Sequence, residues 1–132
     1  MHFKPVIVDK DEKELGHHGS ESFPFEVYYG NFKDFRYGVL EWHWHDELEF
    51  HVVEKGSVEY HVGHLKFILH EKEFAFINSG RLHSAIPLAS DVVSYAIVFH
   101  PSMIDGMSLL PSYRQFIQTF IDSDLDGFQY ES

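Results

Sequence analysis

"GVLEWHWHDELEFHVVEKG", residues 38–56, decides how the rest of the chain is read. Side chains alternate across a β-strand, so His43 and His45 point to one face while Trp42 and Trp44 point to the other. Two imidazoles on one face can converge on one ion. If the chain turns briefly at Asp46 and Glu47 and re-enters a strand, Glu49 joins them as an oxygen ligand, and the same face continues through His51 and Val53. A fourth group has to come from elsewhere, and "NSGRLHS" at 78–84 offers His83 beside a glycine turn that leads into another strand. Three imidazoles and one carboxylate suit a single divalent ion of the Zn, Mn, Fe, Ni or Cu class and leave coordination positions open. With 11 histidines in 132 residues, proximity alone decides little, and the spacing carries the reading. His17, His18, His51, His61, His64, His70 and His100 match no ligand spacing and read as surface or partly buried residues.

Around this stretch the chain has the rhythm of an all-β domain. Short runs rich in Val, Ile, Phe and Tyr, separated by Gly, Asn, Ser and Pro, predict strands at 23–29, 38–44, 48–54, 57–62, 65–69, 73–77, 82–86 and 92–99. "VGHL" at 62–65 predicts a tight hairpin, because glycine enters positive φ without a steric penalty. On these strands Tyr60 and Phe76 are expected to close a cavity above the histidine face, and Arg81 to reach a carboxylate or hydroxyl of a ligand. Trp42 and Trp44, turned the other way, are expected to pack against an arm or a partner.

The two ends differ from the body. "DKDEKELGHHGS" at 9–20 is polar and glycine-containing, so residues 1–22 are expected to form a flexible N-terminal arm. At 111–122, "PSYRQFIQTFID" sets Tyr113, Phe116, Ile117, Phe120 and Ile121 on one helical face, with Ser112 and Gln115 matching a capping box. "PSMIDGM" at 101–107 suggests a shorter helix before it. The expected organisation is thus an arm, a β-barrel over 23–100 and a helical segment over 101–132.

Ten Lys and Arg against 21 Asp and Glu give a net charge of −11, which opposes contact with a phosphate backbone. The absence of cysteine excludes disulfides and thiolate metal sites and fits a reducing cytoplasm. No apolar run approaches the length of a membrane span, so a soluble cytoplasmic protein is expected.

Gly38, His43, His45, Glu49 and Gly56 resemble the first cupin motif, with four rather than five residues between Gly38 and His43. Gly80 and His83 keep part of the second motif, but Lys72 stands where its opening glycine belongs, Asn78 where proline is usual and Pro87 where asparagine would close it. More narrowly, "HWHDELEFHVVEKGSVEYHVG", "EFAFINSGRLHSA" and "AIVFHPSMI" resemble the N-terminal sensor domain of AraC-type transcriptional regulators, from about Phe23 to Ile121. That resemblance implies a cupin jelly-roll barrel followed by helices. It also implies a small-molecule effector in the barrel, a sugar among the candidates, and a homodimer through Tyr113, Phe116, Ile117, Phe120 and Ile121. DNA would be contacted only by a separate C-terminal helix-turn-helix domain. A stand-alone metal-dependent cupin enzyme, a dioxygenase or isomerase using His43, His45, Glu49 and His83, is the alternative.

Overall fold

Alternation of more and less buried positions, complete in β4 (Val58–Val62) and β8 (Val93–Phe99), accompanies two antiparallel sheets facing each other. The computed structural model describes residue 3 and residues 5–20, 24–105 and 111–130. The strands are β1 (Phe25–Asn31), β2 (Leu40–His43), β3 (Leu48–Lys55), β4 (Val58–Val62), β5 (Leu65–Leu69), β6 (Phe74–Ile77), β7 (His83–Pro87), β8 (Val93–Phe99) and β9 (Gly127–Tyr130). Helices α1 (Ser102–Asp105) and α2 (Pro111–Asp122) lie between the last two. One sheet runs β1-β8-β3-β6-β9 and the other β2-β7-β4-β5, a jelly-roll barrel. All eight expected strands form, and the hairpin at Gly63 turns with φ +56°. Among the described residues no helix is long and apolar enough to cross a membrane.

Period-two burial defines the interior. Glu49, His51 and Val53 of β3, Val58, Tyr60 and Val62 of β4, and Ser94, Ala96 and Val98 of β8 are buried. Small inward residues, Ala75, Ala85, Ser94 and Ala96, keep the middle of the barrel open where the histidines must fit. A second, smaller cluster lies on the outer face of the first sheet: Leu48 and Phe76 are buried there beneath Phe120 and Ile121 of α2, with Phe50 and Phe99 beside them.

That outer cluster corrects two expectations. Phe76 is not a cavity wall: it pairs with Phe50, one residue off the Glu49 parity, and its ring meets Phe120 at 5.1 Å and Phe128 at 5.2 Å. Phe120 and Ile121, expected in a dimer interface, rest on the chain's own barrel. The side chains of Tyr113, Phe116 and Ile117 lie outside the described residues. Pro111 occupies the first position of α2, where its missing N–H costs nothing, so Ser112 is already inside the helix. Gln115 Nε2 donates to Thr119 Oγ1 at 3.4 Å, and the expected capping box with Ser112 lies outside the described side chains.

Both ends are more tightly integrated than their composition suggests. In place of a flexible arm, the described part of 1–22 is laid against the barrel. Phe3 is buried, with its ring stacked on Phe35 at 4.6 Å, and Trp44 exchanges backbone hydrogen bonds with Glu12 and Glu14 at 3.0 and 2.9 Å. The Trp44 indole donates to the carbonyl of Asp11 at 3.0 Å, so Trp44 does pack against an arm, while Trp42 is exposed beside His61. The segment 101–132 is not purely helical but closes as β9 on the edge of β6.

Two departures from the second cupin motif acquire physical reasons. Lys72 adopts φ +68°, the conformation glycine would enter freely. Lys72→Gly is therefore expected to raise stability by about 0.5–1 kcal/mol, the left-handed strain outweighing the extra chain entropy. Equilibrium urea unfolding checks this. Asn78 replaces proline because it clasps the C-terminal segment: its N–H donates to Asp126 O at 2.9 Å, and its Nδ2 to Phe120 O at 3.0 Å and Leu125 O at 2.9 Å.

Candidate metal centre

His43 ends β2 directly opposite His83, which begins β7, so the pairing of these two strands sets one imidazole beside the other. His45 lies just beyond β2, before the chain re-enters the barrel as β3 with Glu49 facing inward. The ring centroids of His43 and His83 are 4.2 Å apart, those of His45 and His83 4.9 Å, and those of His43 and His45 5.5 Å. All four residues are at most 4% exposed. One nitrogen from each of the three imidazoles falls within 4.8 Å of the others.

The backbone decides which nitrogen. His43 Nδ1 lies 2.7 Å from the carbonyl oxygen of Glu41, His45 Nδ1 3.1 Å from that of Glu47, and His83 Nδ1 2.8 Å from that of Arg81. A carbonyl only accepts, so each Nδ1 carries the proton and donates. Each Nε2 is left to face the shared space. His45 Nε2 is 3.1 Å from Glu49 Oε1; His83 Nε2 is 3.6 Å from the same oxygen, beyond hydrogen-bond reach, and is buried without a partner. A buried, unpartnered nitrogen aimed at two other imidazole nitrogens fits a divalent transition metal, and the backbone carbonyls supply the outer hydrogen bonds that orient histidine ligands.

Electrostatics polarises the cluster. Burial, together with the neighbouring His83 and His45, lowers the pKa of His43 well below its ordinary value, keeping that ring neutral. Burial also opposes charge on His45, but the hydrogen bond and charge of Glu49 outweigh it and raise the pKa to about 9. Burial alone would raise Glu49; His45, with His51 and His83 close by, holds it well below the usual carboxylate range instead. Without metal, a proton on His45 therefore neutralises Glu49. A raised histidine pKa stabilises the fold fully below about 6.5, and that contribution is lost as pH rises through about 9. The metal-free chain should lose on the order of 3 kcal/mol across that window, and the loss should vanish in Glu49→Gln. Urea unfolding at a series of pH values reads this slope.

The remaining expected residues fall into three positions. Tyr60 forms the floor, wholly buried, its hydroxyl donating to Glu49 Oε2 at 3.3 Å. His51 lines the cavity, but Nε2 meets Ser94 Oγ at 2.8 Å and Nδ1 the Tyr60 hydroxyl at 3.4 Å, so both its nitrogens are engaged. Arg81 does not reach the cavity: its guanidinium turns outward to Asp126 Oδ1 at 2.8 Å and the carbonyl of Ser123 at 2.5 Å, bracing the C-terminal segment.

Above the cluster lies a cavity of about 60 Å³, walled by Tyr28, Phe35, Leu40, Ala96 and Val98, with Phe3, Val6, Glu14 and His18 covering it from the N-terminal segment. Glu14 and His18 escaped the sequence reading. Their spacing of four suggests a helical pair, and nothing local shows that the segment folds back over the barrel.

A family model for the AraC-like ligand binding domain matches residues 22–124. An uncharacterized HTH-type transcriptional regulator of Bacillus subtilis, YdeC, is 31% identical over 113 residues, covering 85% of this chain and 39% of the relative. Among solved structures, ToxT from Vibrio cholerae superposes with a TM-score of 0.52 over 82% of this chain and 42% of its own, at 10% identity, a likeness of fold. The chain thus spans well under half the length of these relatives. The matched region takes in strands β1 to β8, all four residues of the histidine–glutamate cluster and α2, and by that match the chain belongs to the AraC-like ligand binding domain family.

Proposed function

We propose that this chain is the effector-sensing and dimerisation unit of a cytoplasmic AraC-type regulator. In this reading His43, His45 and His83, with Glu49 beside them, hold a divalent transition metal in the barrel. The observation that carries the metal is the common orientation of the three rings, each Nδ1 donating to a carbonyl and each Nε2 turned inward. When bound, the metal supplies a Lewis-acidic centre with open positions for an oxygen donor. The chain's own residues hold the ligands in place, exclude bulk water and limit the effector. A cavity of about 60 Å³ admits a molecule of a few non-hydrogen atoms unless the covering segment moves. An effector changes the output only through different affinities for two states of the domain.

The test is a thermal-shift titration of metal-free chain with Zn, Mn, Fe, Ni and Cu, repeated with sugars and small carboxylic acids. A metal that binds only the folded state raises the apparent melting temperature by mass action, and no shift with any ion removes the metal from the reading. A metal-dependent cupin enzyme would use the same donors; the family match over 22–124 favours the regulator.

DNA contact in this reading belongs to a helix-turn-helix region outside these residues, as the regulator YdeC suggests. With a net charge of −11, the 132 residues alone are expected to give no sequence-selective gel shift at any salt concentration. Homodimerisation belongs to the same proposal. Since the barrel already uses Phe120, sedimentation of Phe116→Glu beside wild type is its sharper test.

A further inference from the structure

The segment that covers the cavity brings an imidazole and a carboxylate of its own, His18 and Glu14, to its lining. His18 Nε2 lies 2.7 Å from Glu14 Oε2, and its Nδ1 lies 2.6 Å from the Tyr28 hydroxyl. The side chains of His18 and Glu14 are 8% and 13% exposed, unusual enclosure for residues of a polar, glycine-flanked stretch. The His18 ring stands edge-on to His45, centroids 5.3 Å apart. One ligating atom each from Glu14, His18 and His45 falls within 4.8 Å of the others.

We propose that Glu14, His18 and His45 form a second cation site at the junction of the N-terminal segment and the barrel. A divalent transition metal bound there would staple the segment over the cavity. Two imidazoles and a carboxylate are a donor set for Zn and its neighbours. The site is built: the Glu14 N–H donates to the carbonyl of Trp44 at 2.9 Å, and Tyr28, on β1, orients the His18 ring. In the metal's absence the His18–Glu14 hydrogen bond occupies the same place.

His45 belongs to both donor sets. Its Nδ1 is committed to the carbonyl of Glu47, so it offers one lone pair, and the two sites compete for it. An ion at the junction closes the cavity, whereas an ion drawn down to His43 and His83 leaves the segment held by its packing and hydrogen bonds to the barrel alone. The competition rests on the barrel reading given above; the junction site does not.

Zinc binding to the metal-free chain, followed by a chromophoric chelator in competition and by amide hydrogen exchange over residues 7–18, separates the two. His83→Ala cripples the barrel set and leaves the junction intact, with His43→Ala as a second variant should the first fail to fold. His18→Gln cripples the junction but keeps an amide able to donate to Glu14. The junction site predicts that His83→Ala or His43→Ala still binds zinc, with exchange at Glu14 and Leu15 slowed roughly tenfold or more, and that adding His18→Gln abolishes both effects. Failure of a folded barrel variant to bind zinc, or slowing that survives His18→Gln, overturns it. The barrel reading is tested apart from this by His18→Gln alone, which must still bind zinc if His43, His45 and His83 suffice.

Discussion

Replacing His45 with alanine is expected to abolish bound transition metal, from about one equivalent per chain to none, while His64→Ala leaves the content unchanged. His45 is the imidazole common to the barrel set and the junction set, so its loss leaves two imidazoles beside Glu49 in the barrel and one imidazole and one carboxylate at the junction, too few to retain a metal against chelators. His64 sits in the β4–β5 turn, outside both sets, and controls for the general affinity of a histidine-rich chain. Elemental analysis of protein purified without chelators or added metal reads the result. Metal retained by a folded His45→Ala chain would place the ion elsewhere and end the reading of this cluster as a metal centre. His45→Ala also leaves Glu49 as a buried carboxylate without its nearest partner, so a loss of stability accompanies the loss of metal. Circular dichroism on the same samples separates the two effects.

Gly127→Ala is expected to destabilise the fold by about 3 kcal/mol. A β-carbon at 127 would collide with the carbonyl oxygen of Phe76 on the neighbouring strand and press on Val62. Strand β9 would have to leave β6. With it would go the Arg81–Asp126 ion pair, the Asn78 bonds to Asp126 and Leu125, and the stacking of Phe128 on Phe76. Gly80→Ala is the comparison: glycine there has φ +73° but open space around it, so only backbone strain of about 1 kcal/mol is expected. Equal, small effects at the two positions by urea unfolding would mean that β9 does not close the sheet.

The residues of the barrel cluster were legible because they depend on local rules. Strand parity puts His43 on the face of His45, the brief turn at Asp46 and Glu47 restores that face at Glu49, and a glycine turn delivers His83 to the start of the next inward strand. Residues whose roles depend on neighbours distant in sequence were not. Parity divides β6 into Ala75 and Ile77 against Phe74 and Phe76, but it does not say which pair faces in. The bulky Phe76 is the natural guess for a cavity wall, yet it lies under α2, while Ala75 and Ile77 join the interior core.

Arg81 shows the same limit: its partner Asp126 is 45 residues further along the chain, and only the docking of β9 brings the carboxylate to it. For the N-terminal segment, composition pointed to an arm without a place to rest. Phe3, wedged against Phe32 and Phe35, and Trp44, binding the backbone at Glu12 and Glu14, provide that place and carry Glu14 and His18 to His45. Eight strands, the α2 helix and the inward set of His43, His45, Glu49 and His83 thus followed from the sequence by itself, since covalent geometry fixes which side chains share a face. Which apolar face became the interior, what the termini covered and which charges met were decided only by packing between segments far apart in the chain, where the area to be buried and the polar groups to be satisfied are properties of the whole fold.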